Sequence, residues 1–178
     1  MLSEILAMGA AVYAVIEYEQ WGSYWAFGEL DLPCDNSFLS AIAWGNGGVT
    51  DDMPHPPRGI PPDCSSRVRE AFYVGPDEVR EYLEIAGSGN ENGASLEQYV
   101  SAYGEWALRE YSESGLVPQP ELTGFGWLNL NELLENLAHA KVAKHELTPP
   151  CLAAIAAMES LAASVSADKV RLVFWLGM

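Results

Sequence analysis

The run from Lys169 to Leu176 narrows most what this chain can fold into. It is dense in β-branched and aromatic residues and reads as a β-strand flanked on both faces. Such a strand needs partners, and the sequence offers them at the opposite end. Val12–Glu19 and Tyr24–Leu30 are rich in Tyr, Val, Ile, Trp and Phe, and a turn signal at Gly22-Ser23 separates them, so they predict an antiparallel hairpin. Helical patterns fill the interval between hairpin and final strand. A hairpin first, helices between and a strand last predict an α+β fold: a small antiparallel or mixed sheet packed against several helices on one face. At 178 residues, one domain spanning 1–178 is the expectation.

The helical signals lie mostly in the caps. Asp35, Asn36 or Ser37 can cap a short helix through Trp44, which Gly45 stops. Five prolines between Asn46 and Asp63 then predict an ordered connection rather than a helix or an interior strand. Ser65 or Ser66 opens a short helix, and Pro76 stands at the first turn of another running to Ala86. Ser95 and Gln98 form a capping-box pattern, followed by Leu96, Tyr99, Val100, Tyr103, Trp106 and Ala107 at helical spacing. This predicts one helix as far as Gly115 with an aromatic core stripe. Asn129 and Glu132 repeat the capping logic. Thr148-Pro149-Pro150 starts an alanine-rich helix ending near Ser164; it is apolar almost all round, which predicts central burial with Leu152, Ile155, Met158 and Leu161 in the core.

Charge limits the partners. The chain carries 25 acidic and 9 basic residues, a formal net charge of −16, and twelve acids but only two bases lie between Asp77 and Glu135. Such a field repels nucleic-acid phosphates and anionic lipid and attracts basic partners in a salt-dependent way. Cys34, Cys64 and Cys151 are odd in number and widely separated, which suggests neither a disulfide framework nor a zinc knuckle. The apolar start, Met1 to Val15, carries Glu4 and no base, unlike a secretory signal. No stretch reaches the length of a membrane span, about 18 apolar residues. A cytoplasmic protein with reduced thiols is therefore the expectation.

Four segments together resemble a family of uncharacterised proteins encoded by bacteriophages, prophages and bacterial genomes. Asn36 to Gly45 is similar to that family's Arg-Asn-Tyr-rich helix with its small-residue stop, and Pro57-Arg58-Gly59-Ile60-Pro61-Pro62-Asp63-Cys64-Ser65 to its Pro-Arg-Gly-Leu-Pro loop. Trp127-Leu128-Asn129-Leu130-Asn131-Glu132-Leu133-Leu134 and Val170-Arg171-Leu172-Val173-Phe174-Trp175 complete the set. The sequence departs from the pattern where Asp35 and Ser37 replace Arg and Tyr, and where Thr123-Gly124 replaces a His-Ser pair. The resemblance implies a phage or mobile-element setting within a bacterial host rather than an activity. Small acidic proteins of that setting often bind and block a host enzyme. That implies a non-enzymatic accessory protein acting on a host protein with a basic surface, such as a defence nuclease or a CRISPR effector.

Two sets of residues could carry function. Carboxylates of Glu97, Glu105, Glu110 and Glu113, with Asp77, Glu78, Glu81 and Glu84, are expected on exposed helix surfaces, where they can form a partner-binding face imitating the phosphates of DNA. In the proline-rich loop, Asp51, Asp52 and His55 could bind a metal or shuttle protons. Arg58, between Pro57 and Gly59, could grip an external anion or pin the loop to an acid such as Asp63. The loop supports a second hypothesis, a small enzyme or ligand-binding protein, and a phage structural or assembly factor is the third. No known ligand spacing, nucleophile signature or phosphate loop is present: Gly45-Asn46-Gly47-Gly48 lacks the lysine. His139 and His145, six residues apart, read as solvated. The sequence thus calls for no cofactor, no metal and no catalytic residue.

Overall fold

A computed structural model of the chain describes residues 11–33, 35–42, 44–45, 48–49, 53–56, 58–87, 95–120 and 122–177. The expected hairpin is formed by β1 (Ala11–Gln20) and β2 (Ser23–Pro33), paired from Ala11↔Pro33 to Gln20↔Ser23. Trp21 and Gly22 both take positive φ, 56° and 77°, as in the mirror-image turn whose twist matches that of two antiparallel strands. A bulge follows Ile16, which pairs with Gly28 while Glu17 pairs with Ala26, leaving Phe27 as the extra residue.

The final strand, β8 (Val170–Gly177), lies antiparallel to β1, and β7 (Leu122–Asn129) adds outside it, giving the order β2-β1-β8-β7. The sequence pattern did not announce β7. Gly124, with φ 56°, and Gly126 interrupt its alternation, and its register shifts between Thr123 and Gly126. Two short ribbons also form: β3 (Trp44–Gly45) with β4 (Gly48–Val49), and β5 (Tyr73–Val74) with β6 (Val117–Pro118).

Side chains alternate across a strand, and on β8 both sets are buried. Val170, Leu172, Phe174 and Leu176 join Val12, Ala14 and Ile16 in a core closed by α1 (Asn36–Ala41), α6 (Leu130–His139) and α7 (Pro149–Val165). Val173 and Trp175 point the other way, onto Val15, Ile60 and the Val68 and Phe72 of α2 (Ser66–Phe72). A third cluster, Val79, Leu96, Val100, Ala107 and Val117, holds together α3 (Pro76–Gly87), α4 (Leu96–Ala102) and α5 (Glu105–Ser114). The sheet is therefore covered on both faces, not on one as the element order suggested. A central strand apolar at odd and even positions needs cover on both sides.

Three further expectations change. The short helix expected through Trp44 ends at Ala41, and Trp44–Gly45 pairs as strand β3 instead. The aromatic stripe belongs to two helices, α4 and α5, because the chain breaks at Gly104 with φ 102°, a conformation open to glycine and strained for other residues. The break lets Trp106 pack on Phe125 and Phe72, with ring centres 5.3 and 6.0 Å away. Helix α7 is buried along one side through Cys151, Ala154, Ile155 and Met158, with Leu152 and Leu161 partly buried, while Ala153, Ala156 and Ala163 face solvent. The caps hold as predicted. Asp35 and Ser65 cap α1 and α2, and full capping boxes start α4 and α6 at Ser95–Gln98 and Asn129–Glu132. Among the described residues, no helix is long and apolar enough to cross a membrane.

Candidate functional site

The acidic residues separate into two populations. On α3, Val79 is fully buried and Leu83 partly so, which turns Asp77, Glu78, Glu81 and Glu84 outward. Asp77 and Glu78 occupy the first turn, where carboxylates complement the exposed N–H groups of the helix end. Asp77 also accepts from Arg80 at 2.5 Å, although its side chain stays 91 % exposed. Glu97, Glu105 and Glu113 are exposed on α4 and α5. Glu110 differs from the expectation: it is only 8 % exposed, pairs with Arg69 and accepts from Ser114 Oγ at 2.5 Å. It is therefore an internal tie between α5 and α2 and does not belong to the outward face. Its place on α5 explains this: Glu110 lies three residues after the buried Ala107 and shares that inward side of the helix, while Glu105 and Glu113 are exposed on the same helix.

The proline-rich loop is fastened to α6. Asn136, fully buried, donates from Nδ2 to the carbonyls of Ala41 and His55 at 2.9 and 2.8 Å and accepts from the His55 N–H at 3.1 Å. The His55 ring lies 2.7 Å from Glu135, through Nε2, and 3.8 Å from Glu132, through Nδ1. Arg58 donates to Glu132 at 2.5 Å and lies 3.7 Å over the Trp127 ring. Its partner is thus Glu132 and not Asp63. Glu132 closes the capping box of α6 as well, accepting from the Asn129 N–H at 2.9 Å, so one carboxylate ties loop, strand end and helix start together. Asp51 and Asp52 lie outside the described residues. Among the described residues, no group of three or more His, Cys, Asp and Glu is placed to hold a metal ion.

Asp63 belongs to a knot that sequence reasoning missed. Arg171, on β8 and 2 % exposed, donates to Glu17 of β1 at 2.7 Å and to Asp63 at 2.8 Å, and lies 3.3 Å over the Tyr24 ring of β2. Glu17, fully buried, accepts with its other oxygen from the Ser65 N–H at 2.6 Å, at the start of α2. Burial raises the Tyr24 hydroxyl pKa, and the nearby Arg171 opposes that rise. Beside the knot, Gly59 takes φ 72°, and a Cβ there would come within 2.7 Å of the Trp106 indole. The glycine of the Pro-Arg-Gly segment is thus fixed both by backbone conformation and by contact. Every buried side-chain nitrogen or oxygen among the described residues has a hydrogen-bond partner.

Pairing consumes most of the scarce bases. Arg58, Arg67, Arg69, Arg80, Lys144, Lys169 and Arg171 each pair with a carboxylate of the chain itself, which leaves Arg109 and Lys141 outside these pairs. The thiols are set for packing. Burial pushes the Cys64 thiol up to about 12, and burial also raises that of Cys151, which receives the Thr148 hydroxyl at 3.3 Å. Both stay protonated near neutrality, which disfavours nucleophilic use. His139 and His145 are exposed. Compared with protein-family models, with curated proteins and with solved structures, the chain finds no match in any of the three.

Proposed function

We propose that this chain is a non-enzymatic binding protein that docks a basic surface of a partner protein through the outward carboxylates of α3, α4 and α5. In the phage or prophage setting that the resemblance implies, the partner is a host protein, and a nucleic-acid-binding defence complex would carry such a surface. One observation carries the reading: seven of the nine bases are spent on internal pairs, while Glu78, Glu81, Glu84, Glu97, Glu105 and Glu113 are exposed. The regional excess of acid is therefore presented to solvent rather than neutralised within the fold. Field lines from such a face speed encounter with a basic partner and repel nucleic acid. The alternative site in the 51–63 loop gains no support from geometry, since the His55 and Arg58 side chains are engaged by Glu135 and Glu132.

The test is capture of partners by the tagged chain from a bacterial host lysate at low and at about half-molar salt, where screening shortens to a few ångströms. Recovery of one stoichiometric basic partner at low salt, lost at high salt, is the expected result. No stoichiometric partner in either condition would remove this reading.

A further inference from the structure

Between the sheet and the end of α2 lies an open cleft of about 500 Å³. Tyr13, Val15 and Trp175 form its sheet side, Ala71 and Leu122 line it further, and Glu29, Asp31 and Gln119 supply its polar groups. Its volume falls in the range of small-molecule pockets, and an apolar lining with a few polar groups is their usual composition.

The polar groups define what could bind. Both oxygens of Glu29 are held by Arg67, one of them at 2.7 Å from Nη2. This hydrogen bonding holds the Glu29 carboxyl below its ordinary range, and Glu29 acts as a fixed wall. Gln119 donates from Nε2 to the Ala71 carbonyl at 3.1 Å. That bond fixes the amide orientation and leaves Oε1 as an acceptor. Asp31 is exposed on β2, and among the described residues no base pairs with it. The cleft thus combines a carboxylate, an amide oxygen and two aromatic side chains, and it presents no cation that is not already paired. An ammonium group suits this set, because it donates to oxygen acceptors and is attracted to aromatic faces, while an apolar stem suits Val15, Ala71 and Leu122.

We propose that the cleft binds a small organic cation, a primary ammonium on an apolar stem, with Asp31 as its counter-ion. The proposal stands apart from the acidic face on α3–α5 and does not depend on it. The probe is n-hexylammonium, titrated into the full chain at physiological salt while the Trp175 indole resonance is followed by NMR. 1-Hexanol and hexanoate serve as neutral and anionic controls. The expected result is a saturable shift with the ammonium and at least tenfold weaker binding of both controls. Asp31→Asn, at an exposed position, should weaken the ammonium at least tenfold and leave hexanol unchanged, with circular dichroism confirming the fold. Tyr13→Ala should weaken the ammonium severalfold. Equal binding of ammonium and hexanol, or an unchanged ammonium affinity in Asp31→Asn, would overturn the proposal. So would tenfold tighter binding of a short lysine peptide than of hexylammonium, which would mark the cleft as a seat for a partner's side chain.

Discussion

The Arg171 knot and the outer surface of α3–α5 use the same carboxylate chemistry to opposite ends. In the knot, Glu17 and Arg171 are withdrawn from water and each is matched by a charge, a backbone N–H or an aromatic face. A charge in that position is costly when left alone, so the knot fixes how β1, β8 and the start of α2 sit together. On the helices the carboxylates stay in water, where solvent screens them and the fold gains little from them. Glu110 and Glu113, three residues apart on α5, show the division within one helix. The first is buried against Arg69 and the second is exposed. Burial, not residue type, separates structural acids from those free to meet a partner.

Breaking the knot should give the largest effect. Arg171→Leu leaves Glu17 buried without its counter-charge and should cost about 3–5 kcal/mol in urea unfolding. Adding Glu17→Gln should recover part of that loss; if the double variant is no more stable than the single, the charge account of the knot is wrong. Asn136→Ala removes three hydrogen bonds, two to His55 of the proline-rich loop and one to Ala41 of α1, and should cost about 2–3 kcal/mol. Glu110→Gln should cost about 1–2 kcal/mol, whereas Glu113→Gln should stay within about 0.5 kcal/mol. Equal losses at these two positions would erase the distinction between the two populations.

A pH series sharpens the same contrast. Cys64 and Tyr73 have raised pKa values in the folded chain, with burial as the largest cause. Burial also leads for Tyr99, with a further rise from its bond to Tyr103. In the unfolded chain these groups would ionise near their ordinary values, 9.0 for cysteine and 10.0 for tyrosine. A folded pKa above the unfolded one means stability that is complete below about pH 9. It is lost as pH rises toward the folded value, about 12 for Cys64. Thermal unfolding at stepped alkaline pH should therefore show Tm falling above about pH 9, with iodoacetamide labelling of Cys64 slow at neutral pH. A flat profile to pH 11 would contradict the burial of these groups.

The sequence made legible whatever depends on neighbours along the chain. The hairpin, the capping boxes at Ser95 and Asn129, and the prolines opening α3 and α7 all follow from local chemistry. Strand β7 escaped because Gly124 and Gly126 break its alternation. The split between α4 and α5 escaped because Gly104 sits inside an otherwise unbroken helical pattern. Long-range partners were out of reach altogether. Arg58 meets Glu132 across 74 positions and Arg171 meets Glu17 across 154, and nothing local to Glu17, one acid among the polar residues of a strand, marks it as buried. The acidic helix surface was legible in kind, and only the three-dimensional pairing removed Glu110 from it.

The most direct measurement is the affinity, at low salt, of the partner captured by the tagged chain for the wild type and for Glu81→Gln/Glu84→Gln/Glu113→Gln. These positions are exposed and lie outside the first helical turns. The account predicts at least a tenfold loss of affinity and a shallower salt dependence at unchanged Tm. Full affinity in the triple variant would contradict it.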